Sequence, residues 1–298
     1  MTPNEPPSDQ DSAPPHDPAR RHFVALSAAA GLAATTRVGQ AGSNVVEQDV
    51  TVTTPDGSCD AAFFHPASGA HPGVLIWPDI FGLRPAFRDM GRRLASEGYA
   101  VLVPNPFYRT ASGPVVDNVS AFNFQTDFAK LKPYTAPLAE VRAVESDARA
   151  YVGFLDSQAA VHKSRKLGVQ GYCFGGPLTF RTAAIAASRI GAAATFHGGG
   201  LVTDKPDSPH LLAPKIKAKL YIAIAANDDQ RQPEAKDALR EAFAAAKVSA
   251  DIEVYPRAQH GWCVPDMPPQ PNGDSTYSKP DAEQAWKKLL ALYRSALG

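Results

Sequence analysis

The stretch Val169–Pro177, VQGYCFGGP, places Cys173 between Gly171 and the pair Gly175–Gly176, directly after a short apolar run. Strand, tight turn and helix in that order is the layout of a nucleophile elbow with a thiol at its apex. Such a turn holds its nucleophile at a strained backbone angle, so the residues two positions to either side must lack bulk. The start of the following helix then favours negative charge on the sulfur. The N–H of Phe174 becomes a donor to a developing oxyanion. The competing reading is a glycine-rich structural turn around an inert buried thiol.

A thiol nucleophile needs a base, and the base needs an orienting acid; behind an elbow they follow in the order acid, then histidine. KLYIAIAANDD ends at Asn227–Asp228–Asp229, and DIEVYPRAQHGW carries His260 near its end. Both follow apolar runs, and open parallel sheets place their sites at the C-terminal ends of strands. His260 is expected to deprotonate or pair with Cys173, and Asp228 to fix the imidazole's tautomer, with Asp229 the competing acid. FHGGG at Phe196–Gly200 looks like an esterase oxyanion loop, but that loop must precede the nucleophile; here it reads as a turn after the next strand. The three cysteines, Cys59, Cys173 and Cys263, form neither a disulfide framework nor paired CxxC units, and no HExxH is present. Cys263, three residues after His260, reads as a semi-buried loop thiol, and neither metal nor cofactor is expected.

The elements that must position these residues are legible as an alternation. NVVEQDVTVTTPDG and SCDAAFFHPA are strands joined at Asp56–Gly57, a hairpin signal. Gly73–Asp79 and Tyr99–Asn105 are short continuous apolar runs, as for strands buried on both faces. Helices are expected over Pro85–Gly98, Ala136–Leu155, Gly176–Ser188, Pro233–Lys247 and Pro280–Leu297, with further strands in KLGVQG, GAAATFHG, KLYIAIA and ADIEVYP. The pattern predicts an α/β fold: a mostly parallel central sheet, helices on both faces and an antiparallel N-terminal hairpin. Between Pro106 and Tyr134 runs a long irregular stretch holding Phe107, Tyr108, Phe122, Phe124 and Phe128, of a length usual for functional loops.

With 298 residues, 44% of them hydrophobic, the chain can bury a large core, and its formal net charge of zero leaves no basic block for nucleic acid. Residues 1–19 are polar and proline-rich. Arg20–Arg21 then precede a charge-free apolar run, Phe23–Ala34, too short to span a bilayer of about 30 Å. A basic start, a short apolar stretch and small residues after it describe an export signal of the twin-arginine type, with no stable membrane anchor. The expectation is a removed segment over residues 1–41, a single domain over 42–298, and a periplasmic or secreted protein. Monomer and dimer are both open.

GYCFGG, AANDD and YPRAQHGW together resemble the dienelactone hydrolase family, small α/β-hydrolases with a Cys-Asp-His triad, from about Val45 to the C-terminus. The resemblance implies an α/β-hydrolase fold and hydrolysis of a lactone or small carboxylic ester, in the manner of a carboxymethylenebutenolidase, through an acyl-cysteine. It carries further roles. WPDIFGL puts Asp79 where the family has a glutamate that contacts the resting cysteine, and makes the N–H of Ile80 the second oxyanion donor. VPNPFYR puts Arg109 where the family binds the substrate carboxylate. The prototypes carry a second such arginine four residues after the histidine, where this chain has Val264. Losing one charge-assisted partner weakens a carboxylate grip by about 1.5–3 kcal/mol, which points to a different substrate. The aromatic loop near Phe122–Phe128 offers an apolar pocket instead. Two other classes fit Cys173 less well. A sulfenic-acid sensor has no CxxC resolving partner nearby, and a binding protein on an inactive scaffold would not need an intact Cys, Asp and His set.

Overall fold

The runs GVLIW, AVLVP, LGVQGY and IGAAATF are buried at all or nearly all positions, which only strands covered on both faces achieve. The computed structural model describes Thr36–Val38 and residues 45–298. The export signal expected over residues 1–41 lies outside them apart from Thr36–Val38. Among the described residues nine strands form one sheet: β1 (Thr36–Val38), β2 (Val45–Thr54), β3 (Gly57–Pro66), β4 (Gly73–Trp77), β5 (Ala100–Pro104), β6 (Leu167–Tyr172), β7 (Ile190–Phe196), β8 (Lys219–Ala225) and β9 (Ala250–Tyr255). Their order is β1-β2-β3-β5-β4-β6-β7-β8-β9. The β2–β3 hairpin turns at Gly57, whose φ of 137° only glycine adopts readily. β3 joins β5 antiparallel, and from β5 to β9 every pairing is parallel. β1 pairs outside β2, so the sheet starts ahead of the expected boundary at residue 42.

Among the described residues there are seven α-helices: α1 (Pro85–Ser96), α2 (Lys132–Thr135), α3 (Val141–Ser157), α4 (Gly175–Ile185), α5 (Ala226–Arg231), α6 (Ala235–Ala245) and α7 (Lys279–Leu297). They cover two separate apolar layers. Val74, Ile76, Val101 and Val103 face Phe87, Leu94, Leu289 and Tyr293 of α1 and α7. Leu75, Trp77, Leu102 and Val169 face Tyr151, Leu155, Phe180 and Phe243 of α3, α4 and α6. Alternate residues of one strand serve opposite layers, as the two-residue period requires. Among the described residues, no helix is long and apolar enough to cross a membrane.

Two elements depart from the sequence expectation. α3 starts at Val141 rather than Ala136, because Glu140 is extended (ψ 115°) and Ala136–Ala139 form a separate 3-10 turn. The acid loop after β8 is itself helical: α5 begins at Ala226, so Asp228 and Asp229 stand in its first turn, where negative charge is favoured.

Candidate active site

Parallel pairing brings the C-terminal ends of β4, β6, β7, β8 and β9 to one edge of the sheet. Cys173 follows β6 with φ 51°, the left-handed region that costs a non-glycine residue about 1–3 kcal/mol. Its flanking glycines are needed for space. A Cβ on Gly171 would lie 2.1 Å from the Gly175 carbonyl oxygen, and one on Gly175 would lie 2.5 Å from that of Trp77. A Cβ on Gly176 would lie 2.7 Å from Gly198 Cα. The bend is held by the Cys173 N–H donating to the Phe196 carbonyl at 3.0 Å, and the Gly176 N–H to the Cys173 carbonyl at 3.0 Å.

His260 reaches the elbow from the loop after β9. Its backbone N–H donates to Asn227 Oδ1 at 2.8 Å, and its Nδ1 lies 2.7 Å from Asp228 Oδ2. Asp229 turns away and accepts from Lys236 Nζ at 2.7 Å, so Asp228 is the acid against the imidazole. A ring nitrogen of His260 lies within 4.8 Å of the Cys173 sulfur. Burial alone would push the His260 imidazolium down; a Cys173 thiolate facing it and the Asp228 carboxylate override burial and carry its pKa up to about 10. The other two thiols are poor nucleophiles. Burial pushes Cys59 up to about 12 and holds Cys263 well above the usual thiol range.

Among the described residues, no backbone carbonyl or side chain accepts from the N–H of Ile80 or of Phe174. The Trp77 and Pro78 carbonyls against Gly175 bring the turn that carries Ile80 onto the elbow. Amides without an internal acceptor are the kind of donor that a developing oxyanion needs.

Asp79 and Arg109 are both committed to ion pairs. Asp79, fully buried, holds a bidentate pair with Arg84 at 2.7 and 2.9 Å, and Arg84 makes a second with Asp266 at 2.8 Å. The carboxylate expected beside the resting cysteine is committed to a guanidinium. Arg109 is likewise held, donating to buried Asp147 at 2.7 and 2.8 Å and to Asp56 at 2.6 and 3.0 Å. A substrate carboxylate would have to displace those acids. The reason lies in α3: its stripe buries Asp147, and a buried carboxylate requires a cation.

His197 is the residue that sequence reasoning missed. It follows β7 with φ 41°, fully buried, and neither ring nitrogen has a hydrogen-bond partner among the described residues. Its ring meets those of His260 at 4.8 Å and Trp262 at 5.2 Å, edge to face. Burial, reinforced by His260, holds its pKa well below 6.5, so it is neutral. The register would have revealed it: Tyr172 pairs with Phe196, so Cys173 and His197 leave adjacent strands side by side.

The model of the dienelactone hydrolase family matches residues 59–297. The chain belongs to the dienelactone hydrolase family. A Methylorubrum extorquens protein provisionally named a carboxymethylenebutenolidase is 29% identical over an alignment of 288 residues that covers 92% of this chain and 92% of its own. A solved structure described as m3DLH superposes with a TM-score of 0.71 at 24% identity, covering 86% of this chain and 100% of its own. The dienelactone hydrolase-like promiscuous phosphotriesterase P91, from metagenomic libraries, does so at 0.68 and 24%, with the same coverage. These structures share the α/β-hydrolase fold seen here, and family membership makes this protein a hydrolase of the ester- and lactone-cleaving class.

Gly171→Ala forces a methyl group into backbone and is expected to lower stability by about 3 kcal/mol, read as a shifted denaturant midpoint at unchanged slope. Arg109→Ala leaves Asp147 buried with only the Tyr108 hydroxyl and is expected to cost about 3 kcal/mol; an Arg109→Met/Asp147→Leu double variant should recover most of it in the same measurement.

Proposed function

We propose that this protein hydrolyses small, uncharged carboxylic esters or lactones with an apolar or aryl group, through an acyl-cysteine on Cys173. The observation that carries this reading is Cys173 in a left-handed elbow, within reach of a histidine whose Nδ1 is held by Asp228. In acylation the thiolate sulfur bonds to the carbonyl carbon, and the oxyanion accepts from the Ile80 and Phe174 N–H groups. His260 gives its proton to the leaving oxygen as the C–O bond breaks. In deacylation neutral His260 takes a proton from water, whose oxygen attacks the thioester carbonyl; the C–S bond breaks and the thiolate and imidazolium return. Asp228 keeps the proton on Nδ1 throughout, leaving Nε2 for the sulfur side. In a lactone the leaving oxygen stays tethered to the acyl group.

The substrate class follows from the surroundings. The two positions that would grip a carboxylate hold Arg109, already ion-paired, and Val264, fully buried. Aromatic side chains border the site instead. Phe81, next to Ile80, meets Phe122 at 4.9 Å and Phe124 at 5.7 Å, and Phe174 meets Phe107 at 6.0 Å. We further place the protein outside the cytoplasm, on the strength of Arg20–Arg21 and the apolar run after them.

A panel of aryl esters and lactones, with and without a carboxylate, tests this. Neutral substrates should be cleaved as well as anionic ones, and Cys173→Ala or His260→Ala should each lower kcat by at least about 1000-fold. Full activity in Cys173→Ala would contradict the reading. The raised His260 value sets the alkaline side of the pH profile: the imidazolium that donates the proton persists through neutrality, and kcat/KM should fall as pH climbs towards about 10. The same pairing supports the fold in full below the ordinary histidine value near 6.5 and is lost as pH rises through about 10. Asp228→Asn should draw the alkaline limb down towards neutrality.

A further inference from the structure

A histidine buried with both ring nitrogens unpartnered is costly, by about 1–3 kcal/mol for each unsatisfied polar group. His197 carries that cost at one particular place: its nitrogen, a nitrogen of His260 and the Cys173 sulfur all lie within 4.8 Å of one another. We propose that Cys173, His197 and His260 form a three-ligand site for a borderline divalent cation, Zn2+ being the type, and that its occupancy reversibly blocks hydrolysis.

The donor set fits that ion. One thiolate and two imidazoles are its preferred ligands, at about 2.3 Å to sulfur and 2.0–2.1 Å to nitrogen. Tetrahedral coordination then needs ligand atoms roughly 3.3–3.6 Å apart, which side-chain adjustment by about an ångström supplies from the separation seen here. The outer shell is in place as well. His260 Nδ1 sits on Asp228 at 2.7 Å, the carboxylate–histidine arrangement that orients imidazole ligands of zinc. His197 is fully buried, and neither of its ring nitrogens has a competing hydrogen bond. Three protein ligands leave a fourth position for water. As the metal enters, the proton shared by the thiol and His260 leaves to solvent, and the sulfur lone pair that would attack the carbonyl is held in the metal–sulfur bond. The sequence shows no metal motif because the ligands come from three strand ends, after β6, β7 and β9.

The blocking half of the proposal rests on the hydrolase reading, whereas the binding half does not, and two measurements separate them. Co2+ added to the full chain is expected to give an intense thiolate-to-metal charge-transfer band in the near ultraviolet at one equivalent, lost in Cys173→Ser and in both His197→Phe and His197→Gln. Zn2+ is expected to abolish ester hydrolysis reversibly on chelation, while His197→Phe and His197→Gln, checked for native melting, keep measurable hydrolysis and need at least about tenfold more Zn2+ for half-inhibition. A cobalt complex without the charge-transfer band, no binding at all, or equal zinc sensitivity in the two His197 variants would each overturn the site. A wild-type protein that binds cobalt with the band yet hydrolyses no ester would contradict the proposed function alone.

Discussion

One backbone angle organises this protein. Cys173 stands at φ 51°, where an L-residue is strained, because the chain must pass from a buried strand into α4 with no room to do otherwise. Gly171, Gly175 and Gly176 let four pieces of backbone converge around it: the end of β4, the elbow, the start of α4 and the turn after β7. Any side chain at those positions would push the layers apart. The strain also has a chemical consequence, since it turns the sulfur out of the sheet and leaves the Phe174 amide without an internal acceptor.

The remaining parts are placed by the sheet's parallel half. Each of β4, β6, β7, β8 and β9 delivers its next residues to the same edge, so groups nearly two hundred residues apart in sequence become neighbours without long excursions. α5 fixes Asn227 and Asp228 together, and the two bind one residue, His260, through its backbone and its ring. The aromatic residues of the long loop between β5 and α3 close over the Ile80 and Phe174 turns through Phe122 and Phe107. Opposite charges near the site are already neutralised, in Arg84 with Asp79 and Asp266, and in Arg109 with Asp147 and Asp56.

Period-two and continuous apolar patterns made the strands legible in the sequence, because burial on both faces leaves a clear signature. The elbow was legible because glycine is the one residue that such a tight turn admits at Gly171, Gly175 and Gly176. The ion pairs were not. Nothing in VPNPFYR says that Arg109 has a buried acid to answer, since Asp147 lies on a helix whose rotation the local pattern does not fix. Asp79 and Arg84 are five residues apart, but their bidentate pairing depends on a turn formed by Ile80–Leu83. His197 was hidden differently. FHGGG forms the turn expected after β7, yet the place of His197 beside Cys173 depends on register with β6, which is a tertiary fact.

If Cys173 is the nucleophile, it carries the acyl group during turnover. Rapid acid quench of the protein during turnover of an aryl ester, followed by mass spectrometry of the digested chain, tests it most directly. One acyl mass is expected on the peptide containing Cys173, and none on those of Cys59 or Cys263. Turnover with no adduct on Cys173, or an adduct on another residue, would contradict it.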